Sequence, residues 1–184
     1  SVFGAYENPC FSEISKEETG NREPGTGNRS SEEPRFPVPG SPFPLEGDWW
    51  AHYFDAHYLL EYKPIFDLAR DRREVARLIE ILGLPAGSRI LDVPCGQGRH
   101  AHLLAEAGYD VDGLDLSREL LARAKERGTG PQLRYTRGDI RGLPGRWTRR
   151  FDAVLNLFTS FGFFLLPSDD DRVVAEWARV LKPG

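Results

Sequence analysis

The stretch Leu91-Asp92-Val93-Pro94-Cys95-Gly96-Gln97-Gly98-Arg99-His100 is followed a short helix later by Val111-Asp112-Gly113-Leu114-Asp115-Leu116-Ser117. No other feature constrains the fold of this chain as much. The pair reads as a buried strand, a glycine turn, a helix, and a second strand ending in a carboxylate. Glycine lets the backbone approach a ligand closely, and a helix start offers N–H groups without intrahelical partners. A carboxylate at the tip of the second strand can grip two ribose hydroxyls. The arrangement predicts a pocket for a nucleoside-bearing cofactor and says less about the substrate.

The surrounding sequence supplies an alternating α/β pattern. Residues 89–93 are nearly all apolar, as expected of a strand covered on both faces. The helix over 98–107 ends at Gly108, a left-handed cap. Strand two covers 111–116, and Ser117 caps a helix whose inward residues are Leu120, Leu121 and Ala124. Leu133–Arg137 alternates and reads as strand three; residues 151–158 read as a central strand four. Ser168-Asp169-Asp170-Asp171 resembles a capping box that starts a last helix, with Val173, Val174, Trp177, Val180 and Leu181 facing inward. Strands separated by helices imply right-handed crossovers and a doubly wound, mostly parallel sheet.

Upstream, Trp49, Trp50, Tyr53, Phe54, His57 and Tyr58 recur at helical spacing and predict one helix over 48–62, which Pro64 interrupts. A second helix over 66–82 carries the stripe Val75, Leu78, Ile79 and Leu82 and stops at Gly83. Residues 1–47 are rich in Pro, Gly, Ser, Asn and Glu and are expected to form a disordered tail. The expected organisation is therefore a tail over 1–47, an N-terminal helical lid over 48–85, and a partial cofactor-binding domain over 86–184. The aromatic stripe of 48–62 is expected to pack on the sheet. The competing expectation is closure over the site, with Tyr53, His57, Tyr58 or Tyr62 sorting substrates or accepting a proton.

The chain has 184 residues and a net charge of -4, which argues against a dedicated nucleic-acid binder. The arginines at 134, 137, 141, 146, 149 and 150 read as a solvated surface rather than a docking site. Its only cysteines are Cys10 and Cys95, which fits a reducing compartment and a cytoplasmic protein. No apolar run reaches the roughly 18 residues that suggest a membrane span, so no membrane partner is expected. No metal-ligand spacing is present, and no metal is expected. The chain has no methionine, even at position 1, and stops on the turn signal Leu181-Lys182-Pro183-Gly184. Both ends are expected to be cut. Oligomeric state is not legible.

Four strand ends carry suggestive residues: Asp92 with the turn 94–98, Asp115-Leu116, Gly138-Asp139-Ile140, and Asn156-Leu157-Phe158. In open parallel sheets ligands bind beyond such ends. Gly96-Gln97-Gly98-Arg99-His100-Ala101 matches the dinucleotide pattern G-x-G-x-x-A, with Asp115 near the spacing of a ribose-binding acid. This leaves a nicotinamide-dependent oxidoreductase open. The wider set resembles the class I, Rossmann-like S-adenosylmethionine-dependent methyltransferases. Residues 91–98 look like their first motif, Asp115 like their ribose-binding acid, and Asp139-Ile140 like their adenine-contacting pair. Phe151-Asp152-Ala153-Val154 looks like the strand that opens their fourth motif, and 181–184 like the turn before their fifth strand.

The resemblance implies S-adenosylmethionine as cofactor and a small-molecule methyl acceptor. It implies cofactor contacts from Asp92, Pro94, Cys95, Gly96, Gly98, Asp115, Leu116, Asp139, Ile140, Asn156 and Leu157. Asp92 would meet the methionine amino group, Asp115 the ribose, Asp139 the adenine amino group, and Ile140 the ring. The Asn156-Leu157 backbone would border the sulfonium, and Gly98 would make room for the methionine portion. Pro94 stands where the family usually has glycine, so that position has no N–H to donate. The family's sheet order, 3-2-1-4-5-7-6, implies that strand four here lacks its neighbour. An open edge of that kind predicts poor solubility or weak activity of the isolated piece.

Asn156-Leu157-Phe158-Thr159 lacks the Asn/Asp-Pro-Pro-aromatic motif of amino-methylating nucleic-acid enzymes. No catalytic residue is assigned, because methyl transfer from a sulfonium needs a base only when the nucleophile must first lose a proton. His100 and His102 are left out of the catalytic set. Residues 158–166 are expected to pack beneath the cofactor rather than line a substrate pocket. A non-catalytic cofactor-binding domain is the remaining alternative.

Overall fold

The computed structural model describes residues 49–158 and 160–184. The expected tail over 1–47, Asp48 at the predicted helix start, Cys10 and Thr159 lie outside the described residues.

The aromatic segment forms two helices rather than one: α1, Trp50–Tyr53, and α2, Ala56–Glu61. Asp55 separates them. Its backbone is extended, and its carboxylate accepts the His57 and Tyr58 N–H groups at 2.8 and 3.2 Å, so it caps α2. Helical periodicity cannot reveal an internal cap, because an aspartate facing solvent on one long helix has the same spacing. Pro64 sits in a 3₁₀ turn, Lys63–Ile65. Asp67 then caps α3, Leu68–Leu82, and Gly83 closes it with a left-handed φ of 59°. Val75 is buried, and Ile79 and Leu82 pack on the same core.

The strands are β1 (Arg89–Asp92), β2 (Asp110–Asp115), β3 (Leu133–Arg137) and β4 (Ala153–Leu155). They form one parallel sheet in the order β3-β2-β1-β4. Helices α4 (Arg99–Glu106), α5 (Arg118–Arg127) and α6 (Pro167–Val180) intervene. Successive strand residues point to opposite faces, and Ile90 and Leu91 accordingly anchor two separate cores. Ile90 packs with Val75, Leu104, Val111 and Leu155; Leu91 packs with Val93, Leu114, Trp147, Phe151 and Val180. Apolar residues on both faces are what produced the unbroken hydrophobic runs in the sequence.

Three further expectations are corrected. Strand four is three residues long, not eight; Phe151 is bridged in parallel to Leu181 instead. Asp152 is taken up locally, with its carboxylate accepting the Arg89 N–H at 2.8 Å and Lys182 Nζ at 2.7 Å. Helix α6 starts at Pro167, with Leu166 as its cap residue and no side-chain cap bond, so the capping box does not form. Proline suits the first helical turn because its missing N–H is not needed there. Val174 is 48% exposed rather than inward.

Three of the six arginines of the stretch are paired within the fold, and Arg137, Arg146 and Arg149 stay exposed. Arg134 pairs with Asp110 and Asp112, Arg141 with Asp139 and Asp169, and Arg150 with Asp112. Among the described residues no helix is long and apolar enough to cross a membrane.

Candidate functional site

A cavity open to solvent lies beyond the carboxyl ends of the strands. Of the residues expected to hold a cofactor, Asp92, Pro94, Cys95, Gly96, Asp115, Leu116, Asp139, Ile140 and Leu157 border it. Gly98 and Asn156 do not, and the structure shows what each does instead.

Gly98 has a φ of 70°, and a Cβ there would lie 2.5 Å from Tyr135 Oη and 2.9 Å from Ala124 Cβ. The space left by its missing side chain is filled by β3 and α5, not by a ligand. A Cβ on Gly96 would meet nothing within 4 Å, so its φ of 54° is what asks for glycine there. Asn156 donates from Nδ2 to the Val93 carbonyl at 2.8 Å and ties the tip of β4 to the turn after β1. The Val93–Pro94 peptide is cis.

Asp115 closes the turn from the other side. Its Oδ2 accepts the Gly96 N–H at 2.8 Å, and its Oδ1 accepts the Ser117 N–H at 2.8 Å. Each oxygen keeps further acceptor capacity. Burial raises its pKa, and the bonds from Ser117 and Gly96 oppose the rise. Asp92, one strand over, is 2% exposed. Burial and the Asp115 charge push its carboxyl up to about 7, against Arg99 and the Ala101 amide. Among the described residues it has no ion-pair partner. Burial also raises the Cys95 thiol.

Asp139 is occupied. Arg141 donates to its carboxylate from Nε at 3.1 and 3.2 Å and from Nη2 at 2.7 Å, and its own N–H adds a bond at 2.8 Å. Burial raises the Asp139 pKa, but these bonds outweigh it and leave the group below its ordinary value. Arg141 also reaches Asp169 at 2.8 Å and lies over the rings of Trp50 and Phe164, at 4.9 and 4.7 Å.

The upper wall is aromatic. Trp50 and Tyr58 from the two short helices, Phe54 from the break between them, and Phe163 and Phe164 from the loop after β4 border the cavity. Phe54 stacks on Phe163 at 5.8 Å between ring centroids. Ser117 Oγ donates to the Phe54 carbonyl while accepting the Leu120 N–H, which fastens this cover to the start of α5. The aromatic helices thus pack over the cavity rather than on the sheet. Phe163 and Phe164 line it rather than lying beneath it.

Phe66 and Arg99, not singled out in the sequence, and His100, left out of the catalytic set, also border the cavity. Arg99 pairs with Asp71, and His100 Nε2 meets Glu74 at 2.9 Å. One signal was present: Arg99 is a cation at a helix start, where acids are favoured. Asp71, Glu74 and His100 bring potential metal-ligating atoms within 4.8 Å of one another. Arg99 on Asp71 and Arg70 on Glu74 already provide positive charge there.

Comparison with known proteins bears on this site. The methyltransferase-domain family matches residues 90–184. The chain is 35% identical over 134 residues to a dTDP-3-amino-3,4,6-trideoxy-alpha-D-glucopyranose N,N-dimethyltransferase of Streptomyces venezuelae, covering 73% of this chain and 53% of that protein. It is 36% identical over 116 residues to a glycine/sarcosine N-methyltransferase of Aphanothece halophytica, covering 62% and 44%. It is similar in structure to CalS10 with bound S-adenosylmethionine, an amino pentose methyltransferase of Micromonospora echinaspora. That match has a TM-score of 0.56 at 32% identity and covers 72% of this chain and 54% of that one. The chain spans about half the length of the curated relatives it matches.

Proposed function

This chain belongs to the class I S-adenosylmethionine-dependent methyltransferases, and from that premise we propose that it transfers a methyl group to a small-molecule acceptor. The observation that carries the proposal is the juxtaposition of Asp92 and Asp115. They are buried carboxylates at the tips of adjacent strands, and both border one cavity beside the Gly96 turn.

The residues fit the cofactor. Asp115 has acceptor capacity left for two ribose hydroxyls after binding Gly96 and Ser117. Asp92, buried and in no ion pair among the described residues, suits the methionine ammonium. Leu116 and Ile140 offer apolar walls to a flat base, with Asp139 at its polar edge and Arg141 setting the orientation of that carboxylate. Pro94, Cys95 and Leu157 border the remainder. Gly98 and Asn156 act at one remove, through Tyr135 and the Val93 carbonyl.

When bound, S-adenosylmethionine supplies a methyl carbon that is already electrophilic and a good leaving group. The chain's own task is then to hold an acceptor in line and keep water out. Alignment of that kind can contribute about 7–11 kcal/mol. The aromatic cover of Trp50, Phe54, Tyr58, Phe163 and Phe164 suits both tasks. A small amine as acceptor is supported by relatives named for amino-sugar and glycine methylation. A cytoplasmic setting belongs to the same proposal and is supported by the free, buried thiol of Cys95.

Titration calorimetry separates the cofactor readings. S-adenosylhomocysteine is expected to bind and NAD is not; NAD binding without S-adenosylhomocysteine binding would sink the proposal. Methyl release with candidate amines then distinguishes an enzyme from a non-catalytic binding domain.

A further inference from the structure

Arg99 combines enclosure with unmet hydrogen-bonding capacity. Its side chain is only 10% exposed, yet it borders the cavity. The guanidinium carbon lies 4.8 Å from the Phe66 ring centre and 5.4 Å from that of Phe158. Nη1 donates to Asp71, whose carboxylate is 5% exposed. Among the described residues no acceptor takes Nε or Nη2. A guanidinium is a fork of five N–H donors with no acceptor, and Nε and Nη2, which are not sealed from solvent, remain open to a ligand entering the cavity.

The position is unfavourable in a second way. Arg99 is the first residue of α4, at the helix end that repels cations. Burying Asp71 beside it offsets that repulsion. Phe158, which lies over the guanidinium, has a φ of 71°, a conformation rare for a bulky residue. A chain that keeps a cation there, braces it with a buried acid and holds two rings against it has built a seat for an anion.

The neighbouring group indicates which anion. Arg99 lowers the pKa of Asp92, so its charge reaches that carboxylate, and both border the same cavity. One acid and one guanidinium facing a shared space match the ammonium and carboxylate carried on the single α-carbon of a free amino acid. We propose that Arg99 binds the α-carboxylate of the cofactor's methionine end through Nε and Nη2, with Asp71 as its positioning residue. The inference rests on the cofactor reading above and adds a binding residue to it.

The test compares S-adenosylhomocysteine with 5′-methylthioadenosine, which keeps the adenosine and lacks the amino-acid end. Arg99→Met is expected to weaken S-adenosylhomocysteine about tenfold or more while leaving methylthioadenosine within about twofold, so the second ligand also reports on folding. Arg99→Lys keeps the charge without the fork and is expected to fall between. Asp71→Asn should weaken S-adenosylhomocysteine selectively and by less. On the unaltered protein, decarboxylated S-adenosylhomocysteine is expected to bind about tenfold more weakly than the parent ligand. Equal losses for both ligands in Arg99→Met would show a structural role and overturn the proposal. So would undiminished S-adenosylhomocysteine binding, or full affinity for the decarboxylated analogue. If the unaltered protein binds methylthioadenosine but not S-adenosylhomocysteine, this inference alone fails. If it binds neither, the cofactor reading fails with it.

Discussion

Burial and the charge of Asp115 hold the Asp92 carboxyl at about 7, so it is partly protonated near neutrality. A carboxyl whose folded pKa is raised binds more protons folded than unfolded. The stability it contributes is complete below its ordinary value of about 3.9 and is lost as pH rises through about 7. Asp92→Asn should therefore flatten the decline in unfolding midpoint between those limits. Binding has the opposite sign, because a cationic ammonium favours the ionised acid. S-adenosylhomocysteine affinity is expected to rise by up to about tenfold per pH unit below 7 and then level off. Calorimetry in buffers of different ionisation enthalpy should detect the proton released, and Asp92→Asn should abolish both effects. A flat affinity profile in the unaltered protein would remove Asp92 from the ammonium site. For Asp115, replacement by Ala removes the acceptor for the Gly96 and Ser117 amides as well as the proposed ribose contact. Cofactor affinity should fall about tenfold or more; unchanged affinity would reject the ribose role.

The two turn glycines of the β1–α4 connection look alike in sequence and have different tasks. Gly98 stands against Tyr135 and Ala124, whereas the space beside Gly96 is open. Gly98→Ala is therefore expected to cost about 2–4 kcal/mol, from a left-handed backbone plus a steric clash. Gly96→Ala should cost about 1–2 kcal/mol of stability, from the backbone alone, and weaken the cofactor more than Gly98→Ala does. Tyr135 Oη is buried without a hydrogen-bond partner, so Tyr135→Phe should be near neutral. Combined with Gly98→Ala it should recover about 1 kcal/mol, a coupling that a double-mutant cycle in denaturant measures. Strict additivity would mean that the backbone, not the tyrosine, is the constraint. The caps are local by comparison: Asp67→Ala should cost about 1 kcal/mol, readable as a lower denaturation midpoint with little change in ligand affinity.

Across the whole molecule, rigidity and ligand access are divided between segments. The sheet and its two cores form a fixed floor, with the glycine turn pinned between β1 and β2. The cover consists of short helices and a loop, held by ring contacts, by Ser117 and by Arg141. Such segments open at lower free energy than packed strands. Adding S-adenosylhomocysteine should therefore slow amide exchange most over residues 49–62 and 160–166, and least over β1 and β2. Uniform protection would indicate global stabilisation rather than closure of the cover.

The layering of this protein follows from local sequence alone. Helix stops such as Gly83, the Ser117 cap and the first three strands are set by residues close together in the chain and appear where expected, whereas strand four keeps only three of its eight residues. Strand-end carboxylates were legible for the same reason, since a glycine turn after a buried strand leaves little choice of direction. Tertiary structure decided what those groups meet. Only packing shows that Gly98 makes room for Tyr135, that Arg141 already holds Asp139, and that Asp55 breaks the aromatic helix so that its rings can cover the cavity. Arg99 and its brace Asp71 are far apart in sequence, and their pairing depends on α3 being laid against α4. Periodicity reports which face of an element is apolar; it carries no information about which partner fills a gap or neutralises a charge across tens of residues.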